Sequence, residues 1–453
     1  MSAIRPYFAL WTLAGLLAGC AAGSTAPGSS SASSLSHQEK DVSAMHRIAT
    51  SYVKLVLAVG QHDPDYVDAY YGPPEWRTEV EAQGKRPLAE IRSEATALLA
   101  ELQTVPPPTS GPDAELLQLR HEYLSRQLQS LVARVDQLSG KRLTFEEESK
   151  ALYDTVAPRH DEAHFQAIVD QLDAILPGDG PMVERAERFR QGFVIPRDRL
   201  DAVFQAAISE CRRRTAAHLE LPPGESFEVE YVTDKPWGGY NWYKGSYHSL
   251  IQVNTDLPIF VDRAIDLACH EGYPGHHVYN ALLEKNLMRD RGWPEASIYA
   301  LFSPQSLVAE GTANFGIEVA FPGQERIAYE KEKLFPLAGL DPATADRYYE
   351  MTRLTQQLSY ASNEAARRYL DGEIDRGQFV EWMMKYTLSS RERSEQRVRF
   401  VEKYRSYVIN YNWGQDLVKQ YVERQGGTPD NPQKRWDVFE DLLSSPRLPS
   451  GLR

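Results

Sequence analysis

Two histidines, His270 and His276, sit in a helix-forming stretch with Pro274 and Gly275 between them, in the run His270-Glu271-Gly272-Tyr273-Pro274-Gly275-His276-His277. No straight helix lets these histidines act together. On an ideal helix His276 would point about 120° away from His270, and His277 would share its face but lie about 10.5 Å along the axis. Neither could share a metal ion with His270, since both imidazoles must reach one ion at about 2.1 Å. Pro274 cannot donate to the carbonyl of His270, and Gly275 tolerates almost any backbone angle. A bulge or break is therefore predicted there, bringing a later histidine back toward His270. Glu271 follows the first histidine as in zincins, where that carboxylate faces the water on the metal.

The surroundings read as mainly α with a small antiparallel β-sheet. Residues 40–60, 112–138 and 158–175 carry apolar side chains at three and four spacing, for example Leu116, Leu119, Tyr123, Leu128 and Val132. Pro106-Pro107-Pro108, residues 177–181 and Pro222-Pro223-Gly224 punctuate them as loops. Phe227–Val232 alternates, Gly238-Gly239-Tyr240 interrupts, and Tyr247–Val253 resumes an extended pattern, which predicts the sheet. Pro258 then opens a helix through Phe260, Ala264, Ile265, Leu267 and Ala268 into His270. Helical patterns continue to about residue 425. With 453 residues and 42% hydrophobic content the chain can bury a large core. The expected organisation is an N-terminal helical lobe, 39–222, and a catalytic lobe, 223–453, in one continuous domain.

The first residues belong to targeting. Arg5, the apolar stretch Tyr7–Leu16 and Leu17-Ala18-Gly19-Cys20 resemble a lipoprotein signal, which implies cleavage after residue 19 and acylation of Cys20. Residues 20–38, mostly Ala, Gly, Ser, Thr and Pro through Ser36, read as a flexible tether. The expected location is the bacterial cell envelope, lipid-anchored to the outer membrane and facing the periplasm, with no other membrane contact. A net charge of -13, with no basic patch, argues against nucleic acid as a partner. Cys211 and Cys269 remain; spacing leaves open whether they pair.

The run His270–His277 is similar to the signature of the bacterial domain-of-unknown-function 885 family, grouped with gluzincin-like metallopeptidases. The resemblance extends to Gly238–Tyr243 and Ser249–Asn254. Downstream it includes Glu310-Gly311-Thr312-Ala313, where the family usually has Glu-Gly-Trp-Ala, and more weakly Gln356–Tyr360. It implies a zincin-like, gluzincin-type helical fold and one Zn2+ per chain held by His270, His276 and Glu310, with His277 the alternative to His276. Glu271 would be the general base and Tyr360 the donor to the oxyanion. Asn314, one turn beyond Glu310, would hydrogen-bond a ligand histidine, and Glu318 is the weaker substitute for Glu310. Gly311 would clear space where the two site helices approach.

Each of these residues alone has a plainer reading, as a solvated helix side chain or a core aromatic. Two of Tyr240, Tyr243 and Tyr247 are expected to be ordinary strand aromatics, and Arg353, Arg367 and Arg368 salt-bridging surface groups. The clustering of four site-type residues within eight positions favours a metal. The expected activity is zinc-dependent peptide hydrolysis by an exported lipoprotein. The competing readings are a non-catalytic metal-binding or metal-trafficking lipoprotein, and a metallohydrolase of non-peptide amides or esters.

Overall fold

The computed structural model describes residues 37–453. Cys20, the signal and most of the tether fall outside the described residues. The first helix, His37–Gly60, begins inside the segment assigned to the tether. The other two expected helices appear as Ala114–Leu138 and Glu162–Ile175, the latter started by Asp161, whose carboxylate accepts from His164 N at 2.9 Å. Helix also continues past residue 425, as Pro432–Ser444 with Pro432 in its first turn.

Among the described residues five short strands accompany the helices: β1 (Val67–Tyr70), β2 (Ser226–Val232), β3 (Gly239–Gly245), β4 (His248–Asn254) and β5 (Ile298–Ala300). β1 and β5 pair antiparallel. In the other sheet β4 lies between β2 and β3, antiparallel to β3 but parallel to β2, with Ser226 opposite His248 and Val232 opposite Asn254. The three-stranded sheet is thus mixed, and the antiparallel expectation holds for β3–β4 and β1–β5. A tight turn reverses β3 into β4, with Ser246 and Tyr247 at φ of 54° and 64°, as a two-residue hairpin requires. The buried Glu284 carboxylate holds it, accepting from Ser246 N at 3.1 Å and from the Tyr243 hydroxyl at 2.6 Å.

One hydrophobic core runs from Met45 to Leu452 and crosses residue 222 without interruption. A smaller core joins Phe165 and Leu172 to Met351, Leu354 and Tyr386, so it too draws on both sides of that position. The helix Pro304–Ala320 is buried almost all round, as its apolar faces require. It crosses the helix Ile409–Arg424 at two glycines, where a Cβ on Gly311 would lie 2.4 Å from the Gly414 carbonyl oxygen. Gly311 therefore makes room for Gly414. The histidine segment is met instead at Gly316, whose Cβ would come 3.0 Å from Pro274 Cγ.

Candidate metal centre and its cavity

The helix Asp262–Leu267 passes into a π-turn over Ala268–Gly272, and a new helix starts at His276. Between them Tyr273 N donates to Ala268 O at 3.2 Å and Gly275 N to Cys269 O at 2.9 Å; the Tyr273–Pro274 bond is cis. A Cβ at Gly275 would lie 1.8 Å from the His270 carbonyl oxygen, so only glycine lets the chain fold back this closely. The predicted break is present at its predicted place. A disulfide between Cys211 and Cys269, with Cα atoms 5.6 Å apart, ties the helix Leu200–Ala216 to the residue before His270.

The reversal brings His276 Nε2 to 3.1 Å from His270 Nε2, with the rings nearly perpendicular at 87°. Glu310, on the helix Pro304–Ala320, directs Oε2 to 3.3 Å from His270 Nε2 and 3.7 Å from His276 Nε2. One ligand atom from each of the three lies within 4.8 Å of the others. His277 turns away: its ring bonds Ser249 Oγ at 2.8 Å and Glu225 Oε2 at 3.0 Å, and it is 1% exposed. Glu318 also lies apart, accepting from Gln415 and Lys419.

Two neighbours orient the triad. Asn314 donates from Nδ2 to the Tyr411 carbonyl at 3.0 Å, which leaves its Oδ1, 3.0 Å from His270 Nδ1, as an acceptor. The ring proton of His270 therefore belongs on Nδ1, and its Nε2 lone pair faces His276 and Glu310. The Tyr407 hydroxyl donates to Glu310 Oε1 at 2.8 Å, while Oε2 is buried without a hydrogen-bond partner.

Electrostatics favour a cation among these groups. Burial alone would push Glu310 up, but the His270 and His276 rings beside it hold it well below the usual carboxylate range. Burial also works against protonation of His276, yet the Glu310 carboxylate beside it, with Glu271 and Asp68 nearby, pushes it up to about 9. Two imidazoles and a carboxylate, with one buried oxygen unsatisfied, suit a zinc-type ion in ligand chemistry and closeness.

Glu271 stands beside the triad and outside it, 5% exposed. Burial raises its pKa, with the two histidines opposing and Glu310 adding to the rise. Its backbone carbonyl accepts from Asn241 Nδ2 at 2.7 Å, and its carboxylate uses the space left by Gly239. The triad and Glu271 open on a cavity of about 1520 Å³. Tyr360 is on its wall, but its hydroxyl donates to Asp416 Oδ2 at 2.5 Å and has no hydrogen bond to the triad. Of the three sheet tyrosines, Tyr243 and Tyr247 serve the hairpin. Tyr240 reaches into the cavity and bonds Asp68, whose carboxyl burial pushes up to about 6. Arg353 faces the cavity. Arg367, expected on the surface, is buried and pairs with Glu364, whereas Arg368 lies over Trp382 near Glu373.

Asp68, Tyr407 and Tyr411 also belong to the site, and no sequence motif marks them. Tyr404, Tyr407 and Tyr411 recur at three and four spacing, a pattern shared by any packed aromatic stripe, and nothing local distinguishes Asp68 in a short strand.

No protein-family model matches the sequence, and no curated protein matches it. Among solved structures, the chain resembles a lipoprotein candidate from Colwellia psychrerythraea with a TM-score of 0.51 and 16% identity, over 83% of this chain and 71% of that one. A lipoprotein candidate of unknown function from Shewanella oneidensis gives a TM-score of 0.41 and 12% identity, over 79% and 72% of the two chains. The first likeness is one of fold.

Proposed function

We propose that this chain is a zinc-dependent peptidase of gluzincin-like type, exported and anchored through Cys20. The observation that carries the reading is the convergence of His270, His276 and Glu310, with Glu271 beside them, on one cavity. At about 1520 Å³ that cavity exceeds the roughly 300–1,000 Å³ of a small-molecule pocket and has room for several peptide residues. The lipid anchor draws further support from the Colwellia protein of like fold, itself described as a lipoprotein candidate.

A zinc ion held by His270, His276 and Glu310 would acidify water and polarise a peptide carbonyl. Asn314 keeps the His270 Nε2 lone pair available, and Tyr407 holds the Glu310 carboxylate in place. Glu271, its pKa raised by burial, takes a proton from the attacking water and returns it to the leaving amine. Tyr360 is assigned the developing oxyanion, which requires its hydroxyl to turn from Asp416 to the substrate.

Glu271 favours catalysis over metal trafficking, since a carrier needs the three ligands but no buried carboxylate next to them. The test is metal analysis combined with a peptide-library digest. About one zinc per chain is expected, and chelation should abolish peptide cleavage until zinc is restored. Full cleavage by metal-free protein would refute the proposal, and cleavage of esters but no peptide would favour the non-peptide hydrolase.

A further inference from the structure

Most cationic side chains on the cavity wall are neutralised. Arg263 and Arg326 reach Asp266, and Lys419 and Arg435 reach Glu318. Arg393 and Arg397, both half-buried, are not, and nor is the exposed Arg353: among the described residues none of the three has a carboxylate oxygen within 4.0 Å. Arg397 uses Nε on Ser362 Oγ at 2.8 Å, and Arg393 uses one Nη on the Pro258 carbonyl at 3.1 Å. Each guanidinium is steadied by an aromatic ring, Arg397 by Phe400 at 4.8 Å and Arg393 by Phe260 at 5.4 Å. In a chain with 63 acidic and 50 basic residues, two half-buried uncompensated arginines facing one cavity are conspicuous.

The two sit one turn apart on the helix Arg391–Tyr404 and so share a face, which Phe400 and Tyr404 continue along the cavity. Arg397 precedes Tyr404 by two turns, about 10 Å of helix. Just beyond, Tyr407 bonds Glu310. Burial pushes both arginines below their usual range, and Arg190 beside Arg393 adds to the effect there. An incoming anion would relieve this cost, and a carboxylate matches a guanidinium fork bidentately.

We propose that Arg393 and Arg397 form a subsite for a substrate carboxylate, so that the enzyme takes peptides bearing a free C-terminus or an acidic side chain a few residues from the cleaved bond. This rests on the peptidase reading. The test uses the whole chain carrying Glu271→Gln, so that binding is read without turnover. One dye-labelled peptide is compared with its C-terminal amide and with versions carrying Glu or Gln at each position. Fluorescence anisotropy should show one carboxylate form binding about tenfold to a hundredfold tighter than its neutral counterpart. The arm that shows the gain, C-terminal or side-chain, identifies the source.

Arg397→Gln and Arg393→Gln should each cut that preference with zinc content unchanged. Arg397→Lys should restore part of it, since the charge remains and the fork is lost. Circular dichroism checks folding, and Arg393, held by the single carbonyl bond, provides the second variant. Equal affinity for charged and neutral peptides, or a preference that survives in both Gln variants, overturns the subsite. A preference intact in a parent protein that cleaves no peptide would instead overturn the peptidase reading and leave the subsite standing.

Discussion

Gly239 has no side chain where a Cβ would lie 2.9 Å from Glu271 Oε1 and 2.7 Å from Leu267 Cδ2. Gly239→Ala should therefore displace the Glu271 carboxylate without touching a metal ligand. The expected result is a fall in kcat of about a hundredfold, typical of a misplaced catalytic group, with zinc content kept; steady-state kinetics beside metal analysis checks it. Asn314 acts one step further out, through the Nδ1 proton of His270. Asn314→Ala should weaken zinc affinity about tenfold to a hundredfold in a competition titration against a chelating dye. Tyr360→Phe tests the oxyanion role and should lower kcat while leaving KM and zinc content as they were. At this scale the sequence was legible where chemistry is local. Pro274 and Gly275 announce the break that turns His276 to His270, and Glu310-Gly311 announces the carboxylate. Tyr407 and Asp68 reach the site from distant elements, and no spacing rule connects them to it.

Elements were legible where the pattern is periodic or punctuated. The helices Ala114–Leu138 and Glu162–Ile175 match their apolar spacing, and β2 and β4 match their extended patterns. The parallel pairing of β2 with β4 was not, because it depends on β3 closing the opposite edge, a non-local choice that leaves each strand's own pattern unchanged. β1 and β5 are too short to show a period. The helices Pro304–Ala320 and Ile409–Arg424 carry Glu310 and the Tyr411 carbonyl, and they approach closely at Gly311 and Gly414. A Cβ on Gly414 would lie 2.8 Å from the Leu307 carbonyl oxygen. Gly414→Ala should destabilise the fold by about 1–3 kcal/mol, read as a lower denaturant midpoint, because backbone on both sides must move apart.

Over the whole molecule, one continuous core carries the site, and the Cys211–Cys269 disulfide beside His270 suits an oxidising compartment such as the periplasm. That agrees with export. Mass spectrometry of the mature N-terminus should find acylated Cys20 on protein in the membrane fraction; an unmodified terminus on soluble protein would refute the anchor. The proposed function divides the labour between two glutamates, with Glu310 to hold the metal and Glu271 to move the proton. Its most direct test measures zinc content and peptide hydrolysis side by side in Glu271→Gln and Glu310→Ala. Glu271→Gln should keep its zinc and lose at least about a hundredfold in rate, and Glu310→Ala should lose both. Parent-level hydrolysis by Glu271→Gln, or zinc loss in it equal to that of Glu310→Ala, would contradict the account.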